Sequence, residues 1–166
     1  MFFARRSVHV TKDLQSFLKD KELHRKLKIS LVVNDPTLDV LRTQDLIEKL
    51  TNDDSFFETL VSLLKRTDLS EPAFYIKANI SRQVWHSMLC GRLPKRDTLY
   101  KAILTLELSY VEATLLMNKA GYEMDWSSSR NLVIIFCLIH KVFNTFEIDN
   151  LLGTLKKDNQ PLFSKE

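Results

Sequence analysis

Arg82, Gln83, His86 and Ser87 lie within six residues, and on a helix they share one side, turned away from Trp85 and Met88. These side chains are hydrogen-bond donors and acceptors of the kind that reads base edges in the DNA major groove. Arg can bond guanine bidentately, and Gln can do the same with adenine. Around them, Lys77, Arg92, Lys95, Arg96 and Lys101 are cations suited to phosphate contacts, which position a protein on a duplex without reading its sequence. Within 77–101 the six basic residues face only Asp97, a local charge of +5. A concentrated cationic window in a balanced chain points to an anionic partner. Judged by charge alone, an ordinary solvated helix face also accounts for it.

Other chemistry finds little support. Cys90 and Cys137 give neither a disulfide framework nor zinc spacing. His86 and Cys90, four residues apart, make at most a two-ligand half-site, and no second pair follows, so no metal is expected. There is no glycine-rich phosphate loop, nucleophile elbow or metalloprotease Glu-His pair. The chain reads as a non-enzyme without a cofactor.

Helical segments must position this window. The chain holds three glycines, four prolines and 27 leucines in 166 residues, which disfavours a turn-rich β architecture and points to an all-α fold. Apolar spacing predicts one helix over 12–28. The β-branched run Ile29–Val33 fits either a strand or a last helical turn. Asp35-Pro36 then starts a helix carrying Leu38, Leu41, Leu46, Ile47 and Leu50. Asp53 or Asp54 is expected to open the next, which carries Phe56, Phe57, Leu60, Leu63 and Leu64. Ser70 and Ser81 read as caps of two short helices joined at Asn79-Ile80, with Phe74, Ala78, Ile80, Trp85 and Met88 between them. Gly91 ends the second, and Pro94 precedes a helix bearing Leu99, Ala102, Ile103 and Leu106. Ser109 with Glu112 has capping-box spacing, and Gly121 ends that helix. Ser127–Ser129 cap an apolar helix through Phe143, and Asn144 with Glu147 reads as a second capping box opening a helix to about Leu152.

Charge and apolar runs bound the setting. Basic residues number 24 and acidic residues 21, for a net +3, too mild for a histone-like binder. The longest apolar run, Leu132–Ile139, has eight residues where a membrane span needs about 20. The first residues lack the apolar stretch of a signal peptide. A cytoplasmic protein without a membrane partner is the expectation.

Residues 54–121 resemble the lambda-repressor-like (Cro/cI, XRE-type) helix-turn-helix family. The resemblance rests on Leu69-Ser70, Ile80-Ser81-Arg82, Gly91 followed by Pro94, and Thr98-Leu99 through Ala102-Ile103 to Leu106-Glu107-Leu108. Lys77–Arg82, Ala120-Gly121-Tyr122 and Ser128-Ser129-Arg130 are similar to a bacterial subfamily with the module at the C-terminal end of longer chains. The resemblance implies a five-helix DNA-binding bundle, expected over 53–123. The residues themselves make 1–52 a helical N-terminal extension, a candidate interaction or dimerisation region, and 124–166 a C-terminal helix pair packed on the bundle. It also implies a bacterial or phage transcriptional regulator. Arg82, Gln83, His86 and Ser87 would read bases, and Lys77, Arg92, Lys95, Arg96 and Lys101 would hold phosphates. A homodimer is expected through residues 12–50, unless those residues pack on their own bundle. The chain departs from the family pattern at Glu71, where Gln is common, and at Pro72, Tyr75 and Leu89. Glu71 and the near-neutral charge of 53–124 favour the alternative of a protein-interaction module: an adaptor, an antitoxin-like partner or a phage inhibitor of host defence.

Overall fold

The computed structural model describes residues 2–34 and 55–164. Every regular element among the described residues is helical: α1 (Phe2–Lys19), α2 (Lys21–Val33), α3 (Phe56–Lys65), α4 (Glu71–Lys77), α5 (Arg82–Leu89), α6 (Arg96–Thr105), α7 (Tyr110–Lys119), α8 (Ser129–His140) and α9 (Thr145–Gly153). The helix expected to begin at Asp35-Pro36 lies outside the described residues.

The caps explain most boundaries. Ser70, Ser81 and Ser128 each accept a backbone N–H three residues on, and Ser109 forms the full reciprocal box with Glu112. Such side chains satisfy first-turn amides that have no intrahelical acceptor. Four boundaries differ from the sequence reading. The first is the start of α1, which already begins at Phe2 rather than at residue 12. The stretch 12–28 is two helices, because Asp20 leaves helical geometry and its carboxylate accepts the Leu23 amide at 2.9 Å. Ile29–Val33 is the last turn of the second of them. The third helix is capped by Ser55 rather than by Asp53 or Asp54, since Glu58 at the third position returns to the Ser55 amide and closes a capping box. Finally, α8 stops at His140 rather than at Phe143. Lys141 takes a left-handed conformation (φ 53°), which lets the Val142 amide reach the Cys137 carbonyl. Asn144 then caps α9 by accepting the amides of Phe146 and Glu147.

The core is organised around α8. Asn131 through Leu138 are all buried, and α1, α6, α7 and α9 pack against this helix. A helix apolar on every side is stable only when neighbours cover every side. Helix α1 supplies one wall: Leu14 is fully buried, and the Phe17 ring lies 5.5 Å from that of Phe136. Phe17 also meets His24 of α2 and Trp126, and the Trp126 indole donates to the Tyr110 hydroxyl at 2.9 Å. The His24 ring, itself buried, donates from Nε2 to the Phe17 carbonyl, which ties α2 back to α1 at the Asp20 corner. Helices α3 and α2 pack on α7, and α4 packs on α6.

Beyond α9 the chain returns across the molecule without regular structure. Arg130 of α8 donates to the carbonyls of Asp158 and Gln160, both at 2.9 Å, while its other nitrogens bond Asp97 bidentately. Asp149 of α9 accepts the amides of Leu162, Phe163 and Ser164 and the Ser164 hydroxyl. Burial works against this carboxylate, yet the bonds from Phe163, Ser164 and Leu162 outweigh it and hold its pKa below the ordinary value.

A depressed folded-state pKa stabilises the fold above the unfolded value, about 4. That contribution is lost as pH falls through the lower folded value. The stability difference between the parent and Asp149→Asn, read by urea unfolding, is therefore expected to shrink from about pH 6 down to about pH 2. A difference that stays constant over that range would mean the ionised carboxylate is not what holds the segment.

Candidate nucleic-acid interface

Helix α4, the turn at Asn79-Ile80 and helix α5 are built from residues that leave little freedom. Phe74, Ala78, Ile80, Trp85 and Met88 are buried. The Trp85 ring is contacted by Phe74, Phe57 and Tyr75 at 5.4–6.2 Å between centroids. Its indole N–H donates to the Glu71 carboxylate at 3.3 Å, so the acidic residue at the start of α4 has a structural acceptor role. Asn79 makes the turn with φ 50°, a conformation Asn adopts more readily than most residues. The Ile80 amide then bonds the Tyr75 carbonyl. Gly91, at φ +87°, ends α5 and redirects the chain towards Arg92; a Cβ there would be strained by the backbone alone.

With Trp85 and Met88 fixed inward, α5 turns Arg82, Gln83 and His86 outward, while Ser87 is half-buried. These four, with Cys90, line one shallow depression. Gln83 and Ser87 also border a second depression, shared with Val84, Met88, Arg92, Leu93, Pro94, Lys95 and Thr98. Six of the nine residues singled out in the sequence, Arg82, Gln83, His86, Ser87, Arg92 and Lys95, therefore border two depressions that share Gln83 and Ser87. The other three are placed differently. Lys77 is exposed in the last turn of α4. The Arg96 guanidinium lies 5.0 Å from the centre of the Tyr122 ring, a cation–π contact. Lys101 donates to the Asn79 carbonyl at 3.2 Å and so braces the turn.

Asp97, the sole carboxylate within 77–101, is paired bidentately with Arg130, an ion from outside that window, and a second carboxylate, Glu71 of α4, lies against α5 through the Trp85 indole. His86 Nδ1 lies 3.6 Å from the Cys90 sulfur, but no group of three His, Cys, Asp or Glu side chains among the described residues could hold a metal. Cys137, by contrast, is a core residue whose thiol is pushed up to about 12 by burial, with Glu147 adding to the shift. Arg130 was not among the residues singled out for the window, although it removes the window's only negative charge; its sequence carries no local sign of a partner 33 residues away.

Among the described residues no helix is long and apolar enough to cross a membrane. No protein-family model, curated protein or solved structure matches the chain.

Proposed function

We propose that this chain is a sequence-specific DNA-binding protein, a transcriptional regulator of bacterial or phage type, in which α3–α7 form a lambda-repressor-like bundle and α5 enters the major groove. The reading is carried by the outward face of α5, where Arg82, Gln83, His86 and Ser87 lie beside Arg92 and Lys95. A single α-helix fits the major groove, and side chains of these types discriminate base pairs there. Phosphate neutralisation falls to Arg92 and Lys95, with Lys77, Arg96 and Lys101 further out. One such helix reads few base pairs, so the protein is expected to act as a homodimer on two half-sites about 34 Å apart. Leu14 and Phe17 are committed to the core; among the described residues of 12–50, Leu23, Ile29, Val32 and Val33 of α2 are exposed apolar side chains available for that contact.

Selection from random-sequence DNA across a salt series tests the reading. A preferred site retained at physiological salt supports it, whereas binding confined to low salt is what any basic patch gives. Arg92→Ala and Lys95→Ala are each expected to lower the slope of log affinity against log salt by about one and to weaken all sequences alike. An unchanged slope in the double variant would remove these residues from the phosphate contacts.

A second reading is favoured by one observation. Val84, Leu89 and Leu93 are 39%, 44% and 54% exposed on or just beyond α5. Apolar side chains set among cations also suit a protein partner. Selection that yields no preferred DNA site would favour this interaction module.

A further inference from the structure

The C-terminal residues 158–164 touch three different parts of the molecule, each through polar contacts. Arg130 of α8 holds the carbonyls of Asp158 and Gln160. Asp149 of α9 takes three successive amides, those of Leu162, Phe163 and Ser164, at 2.6, 3.0 and 2.7 Å. The Leu162 and Phe163 side chains are buried. The carbonyl of Phe163 is the third anchor: it accepts the side-chain amide of Asn79 at 2.6 Å. Asn79 is the left-handed residue of the α4–α5 turn, and its own carbonyl is held by Lys101. The residue that sets where α5 begins is thus gripped from one side by α6 and from the other by the end of the chain.

Resting on the DNA-binding reading above, we infer that segment 158–164 is a positioning strap for α5. Asn79 and Asp149 are its positioning residues: they act on the base-reading side chains through the turn and do not touch DNA. The Phe163 carbonyl and the Ser164 N–H belong to one planar peptide unit, so neither can move without the other. Asp149 pins that unit at the Ser164 N–H, at 2.7 Å, and so presents the Phe163 carbonyl to Asn79 at a fixed point. That fixes the Asn79 side chain, and with it the exit direction of the turn into Ser81, whose hydroxyl caps α5. Recognition by a helix tolerates little angular error, because sites need groups held to fractions of an ångström. A strap of this kind makes the orientation of α5 depend on α9, an element that contributes nothing to the interface itself.

The test uses the full chain and amide hydrogen exchange, with no DNA present. Asp149→Asn weakens the grip on Phe163 and keeps the side-chain size. Asn79→Gly removes the amide donor and still tolerates the positive φ of the turn. In Asp149→Asn the amides of Ile80 and Val84 are expected to exchange about tenfold faster than the loss of global stability alone accounts for, that loss being read at Ile134 and Ile135 in α8. Because coupling is reciprocal, Asn79→Gly should speed exchange at Phe163 and Ser164. The double variant should add little at Ile80 beyond the stronger single change, since both act through one contact.

Unchanged exchange at Ile80 and Val84 in Asp149→Asn, or unchanged exchange at Phe163 and Ser164 in Asn79→Gly, would overturn the strap. Should Asp149→Asn unfold the chain, the reciprocal measurement on Asn79→Gly decides by itself. A protein that binds no specific DNA yet shows this coupling would lose the function proposed above and keep the strap.

Discussion

Leu14→Ala is expected to lower the unfolding free energy by about 2–5 kcal/mol, the range for deleting a fully buried Leu side chain to the β-carbon. Leu14 has no exposed surface and sits on α1, whose neighbours are α2, α8 and α9. Truncation removes the apolar contacts and leaves a void beside a helix that has no solvent-facing side on which to relax. The effect falls towards the upper end of the range if α8 holds its place, and towards the lower end if α1 can settle inwards.

Phe146→Ala is the matched control. Phe146 is 72% exposed on α9, and its change is expected to stay within about 0.5 kcal/mol. Urea unfolding of both variants reads the contrast. A Leu14 variant as stable as the Phe146 variant would mean that α1 does not belong to the core. The same argument predicts that a chain starting at Asp53 loses cooperative unfolding, because α8 would be stripped of the wall formed by Leu14 and Phe17.

The sequence carried the local signals well and the distant ones poorly. Ser70, Ser81, Ser109 and Ser128 declare helix starts because the hydrogen bond they make is three residues away, within reach of a pattern. The burial of Phe74, Ala78, Ile80, Trp85 and Met88 follows from the spacing of a helix-turn-helix unit, and so does the outward register of Arg82, Gln83 and His86. Helix breaks are harder. Leu14, Phe17 and Leu18 keep helical spacing, and so do Leu23 and Leu27, but a five-residue step from Leu18 to Leu23 separates the two sets, and at that step the Asp20 carboxylate caps a second helix.

The end of α8 misleads for a related reason. Val142 and Phe143 prolong the apolar run, while the stop comes from a lysine in a left-handed conformation that composition does not favour. Ser55 was legible, since Glu58 completes its box, but two adjacent aspartates competed for the same role. Nothing local announces that Glu71 serves Trp85, that Arg130 takes Asp97, or that Asn79 meets Phe163 across 84 residues. Those contacts belong to tertiary structure, and they decide how α5 is held and which charges lie around it.

Arg82→Ala carries the second large expectation, on function rather than on folding. Arg82 is exposed in the first turn of α5, with the inward side chains Trp85 and Met88 fixing which way it faces. A guanidinium at that place can make two parallel hydrogen bonds to guanine O6 and N7, and such a pair contributes about 1–3 kcal/mol of discrimination. Affinity for the selected site should therefore fall about 5- to 150-fold, while affinity for unrelated DNA falls far less, because only the general charge term is lost there. Gln83→Ala should relax a different position of the site, one where adenine is preferred.

Stability is the necessary companion measurement. Arg82 makes no core contact, so the variant should unfold within about 0.5 kcal/mol of the parent. Competition binding with the selected site and with single-base variants separates the outcomes. If Arg82→Ala weakens all sequences equally, the residue holds phosphate and another side chain reads the base. If Arg82→Ala and Gln83→Ala both leave the preferred site and its affinity untouched, α5 does not read DNA, and the exposed Val84, Leu89 and Leu93 become the surface to test against a protein partner.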